Sequence, residues 1–174
     1  MIAKESWLFR WARLLPASVT CNLSTLGPLG WRLPAPGTWG SVAGVILYVV
    51  VFHPLPALMQ LLLATALTLL SIGICDAAER HFQQRDPGKI ILDEVVAVPI
   101  VFIGAAPMIA HFGGWPVILA GFLLFRLFDI VKPLGIKRLQ NLPGGMGCVV
   151  DDTAAAAVTL LVLQMAYFLL LRVQ

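Results

Sequence analysis

The chain has 174 residues, of which 59% are hydrophobic and only 12% charged, with a formal net charge of +3. Its mean hydropathy is +0.89. A soluble domain carries about 25% charged residues, so the composition indicates a single integral membrane domain, and so small a basic excess argues against nucleic acid and suits an anionic membrane surface.

Residues 4–17 place Trp7, Leu8, Trp11, Leu14 and Leu15 at helical spacing, with Lys4, Arg10 and Arg13 between them. This pattern predicts an interfacial helix ended by Pro16, tryptophan lying at headgroup depth. Residues 1–22 therefore read as a leader to a membrane domain over 23–172. Residues 18–40 read as a Gly/Pro-rich loop ending in PAPGTWGS (34–41). There Thr38 or Ser41 is a candidate N-cap, and Gly37 and Gly40 allow backbone N–H groups to approach an anion. A plain turn with an N-cap explains the same residues.

Five apolar segments follow, at 42–52, 57–74, 95–110, 115–130 and 153–171. Only the second and fifth approach the ~20 residues of a full span. If each crosses once, eleven of the twelve Lys and Arg residues fall on one side and Arg172 alone on the other. Positive residues concentrate in the cytoplasm, which predicts a cytoplasmic N-terminus and an external C-terminus. The acids follow the same side. Asp76 and Glu79 come after the second segment, Asp93 and Glu94 open the third, Asp129 closes the fourth, and Asp151 and Asp152 open the fifth. Helix capping accounts for acids at N-termini but not for Asp129 near a C-terminus, where the dipole disfavours an anion.

Hard divalent cations take oxygen ligands, and Mg²⁺ is commonly held by a few carboxylates and a substrate phosphate. Asp93, Glu94, Asp129, Asp151 and Asp152 form the candidate metal set and the candidate catalytic set, with Asp76 and Glu79 in reserve. Arg126 and Lys132 are candidate phosphate ligands, and a local salt bridge between Arg126 and Asp129 is the simpler reading of their i, i+3 spacing. The cysteines Cys21, Cys75 and Cys148 have no CxxC spacing and read as small apolar filler. His53, His81 and His111 read as interfacial or loop residues. No phospho-aspartate motif, Cys-x5-Arg or GxSxG occurs. Metal-assisted attack of water on phosphorus remains. A carboxylate-lined ion or proton transporter and a non-catalytic lipid-binding scaffold are the competing classes.

The stretches PAPGTWGS, IILDEVV, FRLFDIVKPLGIKRL and GGMGCVVDDTAA resemble, in order, the signature blocks of the bacterial phosphatidylglycerophosphatase A family over residues 23–172. The resemblance implies a Mg²⁺-dependent inner-membrane enzyme that removes the terminal phosphate of phosphatidylglycerol phosphate, a membrane phospholipid, at the cytoplasmic face. It also implies an all-α fold. By position, the family's acidic pattern falls on Asp93, Glu94, Asp129, Asp151 and Asp152. Its phosphate-side pattern falls on Gly37, Thr38, Gly40, Ser41, Arg126, Lys132 and Pro133, and Asp86 in the DPG turn also matches. The expected architecture is a polytopic membrane helical bundle with an N-terminal interfacial helix and about five apolar helices.

Overall fold

A computed structural model describes residues 7–173, and every regular element among the described residues is helical. The expected start of the leader helix at Lys4 lies outside the described residues, as do the side chains of Trp7, Leu8 and Arg10. Trp7–Leu14 is amphipathic as expected but is a pair of 3₁₀ turns broken at Phe9 (φ −113°, ψ 20°), not one continuous helix. The segment packs on protein: Ala12 is fully buried, and the Trp11 ring lies over Gly73, where an added Cβ would come within 2.8 Å of it.

Residues 18–40 are not a loop. Ala17–Thr25 (α1), Pro28–Arg32 (α2) and Pro36–Leu47 (α3) are helices. Pro28 and Pro36 each stand at a first helical position, where a preset φ helps and the missing N–H has no intrahelical partner. Between α1 and α2 the chain turns at Leu26 and Gly27, both at positive φ (47° and 60°). α3 continues through a π turn, Tyr48–Phe52, and the last six residues of PAPGTWGS, 36–41, form the start of the helix and do not precede it. Ala35 occupies the cap position with no side-chain cap bond. Thr38 N–H donates to the Ala35 carbonyl at 2.9 Å, and the Ser41 hydroxyl donates back to the Gly37 carbonyl at 3.0 Å.

The remaining helices are Ala57–Phe82 (α4), Leu92–Val101 (α5), Ala106–Phe112 (α6), Gly114–Val131 (α7) and Gly145–Val173 (α8). α4, α7 and α8 are each long and apolar enough to cross a membrane, and α5 with α6 forms a fourth apolar run bent by 71°. Three boundaries differ from expectation. α7 is longer than the short segment read from sequence. α4 runs on past residue 74, so Asp76 and Glu79 are helical. α8 starts at Gly145, so Asp151 and Asp152 lie about two turns inside it and not at its N-terminus.

The bend after α5 has local causes. Pro99 inside the helix removes one backbone donor, and the chain turns at Gly104 (φ 71°). Backbone groups released in an apolar environment need internal partners, and Gln60 supplies one at this bend and two at the turn that leads into α4. Its amide donates to the carbonyls of Phe52 (3.0 Å) and Leu55 (3.1 Å), and its Oε1 accepts the Gly104 N–H at 3.0 Å.

α5 sits at the centre, packed against α3, α4, α7 and α8. Its contact with α3 runs along Gly40 and Gly44. A Cβ at Gly40 would lie 3.0 Å from Ile91 Cβ, and one at Gly44 2.7 Å from Val98 Cβ. Small residues at such a seam let two helix backbones approach closely. Behind it the Tyr48, Phe52, Phe102 and Phe125 side chains are wholly enclosed, with Phe102 seated where any Cβ on Gly121 would collide with its ring. Outward, Leu61, Leu69, Leu119, Leu123, Leu161 and Phe168 are exposed. An apolar exterior of this extent on span-length helices faces lipid.

Candidate metal and phosphate site

The ends of four elements meet at one end of the bundle. Asp93 and Glu94 occupy the first turn of α5, whose start is held by Ile91 N–H donating to the Ser24 carbonyl of α1 at 2.9 Å. Asp129 lies in the last turn of α7, and Lys132 ends that helix in a left-handed conformation (φ 46°, ψ 57°). Cys148, Asp151 and Asp152 follow i, i+3, i+4 spacing, which puts them on one face of α8. The fourth element is the DPG turn. Asp86 has positive φ (45°), and its N–H donates to Glu79 Oε1 at 2.7 Å.

These pieces enclose a cavity of about 130 Å³ lined by Asp86, Gly88, Ile90, Asp93, Glu94, Asp129, Lys132, Cys148, Asp151 and Asp152. Six carboxylates in that lining face a single lysine. Lys132 Nζ bonds Asp151 and lies 3.3 Å from Asp152 Oδ1 and 3.6 Å from Asp129 Oδ1. Burial alone would depress its pKa. The Asp152 charge, the hydrogen bond and charge of Asp151, and the Asp129 charge outweigh that and raise it, so the ammonium stays charged. Arg126 stands behind the cavity wall. Its Nη1 donates to Asp129 Oδ2 at 2.7 Å and to Ser41 Oγ at 3.3 Å, and it lies 4.0 Å from Glu94 Oε1. The pairing of Arg126 with Asp129 anticipated from i, i+3 spacing is present. The two cations offset the helix-dipole penalty at Asp129 that the sequence left unexplained.

The compensation is incomplete. Glu94 Oε2 and Asp151 Oδ1 are buried and have no hydrogen-bond partner among the described residues. A buried anionic oxygen without a partner is costly. Asp93, Glu94 and Asp152 each bring a ligand oxygen within 4.8 Å of the others. All-oxygen donors, close together and partly unsatisfied, fit a hard divalent cation.

Of the sequence-derived candidates, the cavity gathers Asp93, Glu94, Asp129, Asp151, Asp152 and Lys132. It does not gather Asp76 or Glu79. Asp76 is ion-paired with Arg13 and Arg80, each at 3.4 Å, and Glu79 anchors the Asp86 turn. Gly37, Thr38, Gly40 and Ser41 do not line the cavity either. Gly37 backs on to the Glu94 carboxylate, with which any Cβ there would collide, and Gly40 serves helix packing. Three lining residues lie within the sequence motifs but were not among the candidate site residues. Cys148, taken as filler, donates its S–H to Asp93 Oδ2 at 2.8 Å. Its place three and four residues before Asp151 and Asp152 was the available signal. Gly88 and Ile90 line the cavity because they follow Asp86 in the turn and precede Asp93.

The profile of the family described as phosphatidylglycerophosphatase A matches residues 22–167. A Haemophilus influenzae phosphatidylglycerophosphatase A is 39% identical over 130 residues, 74% of this chain and 77% of that protein. The Escherichia coli K12 phosphatidylglycerophosphatase A is 31% identical over 128 residues, 71% of this chain and 69% of that protein. A Bacteroides thetaiotaomicron protein provisionally named phosphatidylinositol-3-phosphatase is 33% identical over 136 residues, 76% of this chain and 83% of that protein. No solved structure matches. On the family profile and these identities, the chain belongs to the phosphatidylglycerophosphatase A family.

Proposed function

We propose that the chain is a Mg²⁺-dependent lipid phosphatase that hydrolyses phosphatidylglycerol phosphate to phosphatidylglycerol and inorganic phosphate at the cytoplasmic face of the inner membrane. The observation that carries this reading is the carboxylate cavity with two orphaned buried oxygens, at the helix ends of a membrane bundle whose relatives include named phosphatidylglycerophosphatases. Asp93, Glu94 and Asp152 would hold the cation, with Asp151 and Asp129 completing the negative wall. Bound there, Mg²⁺ supplies Lewis acidity toward a phosphoryl oxygen and lowers the pKa of water.

The chain's own groups do the rest. Lys132, charged and already among the acids, turns toward the phosphate oxygens as substrate enters and neutralises charge that grows in transfer. Arg126, held by Ser41 and Asp129, keeps Glu94 and Asp129 oriented and lends a second positive charge. Thr38, Gly37, Gly40 and Ser41 act on phosphate only indirectly, by seating α3 against Glu94 and Arg126. One cavity carboxylate orients the attacking water. The water oxygen forms the new bond to phosphorus, the ester P–O bond breaks, and a proton from that water ends on the departing glycerol oxygen. Phosphoryl transfer asks chiefly for positioning and charge stabilisation, so a small bundle suffices. The exposed Lys137 and Arg138 beside the cavity end suit anionic headgroups.

Phosphate release by the pure protein tests this reading, with short-chain phosphatidylglycerol phosphate and phosphatidylinositol 3-phosphate as parallel substrates under Mg²⁺. Faster release from the first supports the assignment. Preference for the second moves the substrate to an inositol lipid, and release from neither overturns the enzyme reading. Asp129→Asn should lower turnover at least about tenfold while lipid binding is largely kept. Unchanged turnover would remove Asp129 from the site.

A further inference from the structure

Two groups of metal-ligating atoms overlap in the cavity, and the hydrolytic reading uses only one. Beside Asp93, Glu94 and Asp152, the atoms of Asp86, Asp93 and Cys148 also lie within 4.8 Å of one another. We propose that Asp86, Asp93 and Cys148 form a second cation position, one that prefers a thiophilic divalent ion such as Zn²⁺ or Cd²⁺ and shares Asp93 with the all-oxygen position.

Cys148 is 2% exposed and Asp93 5%, and the thiol already points at the shared carboxylate, donating to Oδ2 at 2.8 Å. Cys148 packs in an apolar cluster with Ile72, Cys75 and Val149, but unlike a filler cysteine it also lines a cavity otherwise made of carboxylates, a lysine, Gly88 and Ile90. Asp151 lines the same cavity with a 1% exposed side chain and an Oδ1 that no described residue satisfies. That orphan is a sign, independent of the Cys148 group, that the cavity is built to take positive charge. Asp86 is exposed and gives the position its entrance. Its backbone is pinned by Glu79, so the carboxylate is presented and not left to a free loop.

Ligand softness makes the two positions differ. Thiolate favours Zn²⁺ and Cd²⁺, whereas carboxylates alone suit Mg²⁺. Coordination forms a metal–sulfur bond, breaks S–H and releases that proton to solvent, with no change of oxidation state. An ion so placed draws on Asp93, the one ligand common to both positions, and so opposes the hard cation's use of it. The proposal rests on the donor set alone and holds whatever lipid the protein acts on.

The test uses the full chain in detergent micelles, loaded with Co²⁺ and then titrated with Cd²⁺. The wild-type protein should show a near-ultraviolet sulfur-to-cobalt charge-transfer band. Cys148→Ser, which keeps size and a donor, should abolish the band and weaken Cd²⁺ binding at least about tenfold. Cys21→Ser, on α1 and outside the cavity lining, should leave both unchanged. Asp86→Asn, a change on an exposed turn that does not touch the core, should keep the band and weaken Cd²⁺ binding by a similar factor. Absence of the band in the wild type, its persistence in Cys148→Ser, its loss in Cys21→Ser, or unaltered Cd²⁺ affinity in Asp86→Asn would each overturn the proposal.

Discussion

Lys132 is the residue on which the site turns before any cation binds. It touches Asp151 and lies within 4 Å of Asp152 and Asp129, so its removal leaves three buried acids facing each other. Breaking a buried pair from one side costs roughly 3–5 kcal/mol. Lys132→Met should therefore lower the thermal unfolding temperature in chelator, and added Mg²⁺ should recover more of that loss than it adds to the wild type. An unfolding temperature unmoved in chelator would mean that the lysine is not what balances these acids. Glu79 makes a different case. Its carboxylate holds the Asp86 amide, so Glu79→Ala should speed hydrogen exchange at Asp86 while leaving that of α8 unchanged. At this scale the sequence was readable where a residue broke a rule. Asp129 stood against the helix dipole, and its partners proved to be Arg126 and Lys132. It was unreadable where chemistry depended on a neighbour distant in the chain: the spacing of Cys148 from Asp151 and Asp152 puts it on their helix face, but nothing local marks it as a partner of Asp93, 55 positions away.

At the scale of elements, the main difference lies in residues 18–40. Their Gly and Pro content suggested a loop, yet Pro28 and Pro36 open helices and Gly37 and Gly40 face α5, with Gly27 left as the turn glycine. Local composition carries no record of a neighbour, and the small surface that makes a glycine look like a turn residue is what lets α3 lie against α5. Gly44→Val tests this. The new side chain would meet Val98 Cβ and the Val95 carbonyl, and overpacking of that kind costs about 1–3 kcal/mol. Thermal unfolding should show the loss, together with weaker metal binding, because α3 also backs Glu94. A Gly44→Val protein as stable as the wild type would show that α3 does not pack there as described. The same dependence on neighbours explains the long helices. Hydropathy located the spans but not polar ends such as residues 75–82 of α4, which are helical and where Asp76 is paired with Arg13 and Arg80.

At the scale of the molecule, the one-sided placement of charge was the most informative feature of the sequence. Counting by side placed Asp93, Glu94, Asp129, Asp151 and Asp152 in one layer, and the fold brings these five into one cavity. Asp76 and Glu79, equally eligible by that count, were drawn away by arginines and by a backbone amide, a distinction only packing could make. The cytoplasmic orientation proposed for the layer rests on the same charges and is open to a direct check. In a Cys21→Ser background, a cysteine at exposed Lys137 should be labelled by an impermeant thiol reagent only from the cytoplasmic side, and one at exposed His111 only from outside. The reverse pattern would invert the topology. The most direct test of the central claim, that this layer is a Mg²⁺ site for hydrolysis of a lipid phosphate, is phosphate release from phosphatidylglycerol phosphate by metal-stripped protein as Mg²⁺ is added back. The expected result is no release in chelator, recovery on Mg²⁺ addition, and at least about a hundredfold loss in Asp93→Asn. Release that persists in chelator, or Asp93→Asn activity equal to that of the wild type, would contradict it.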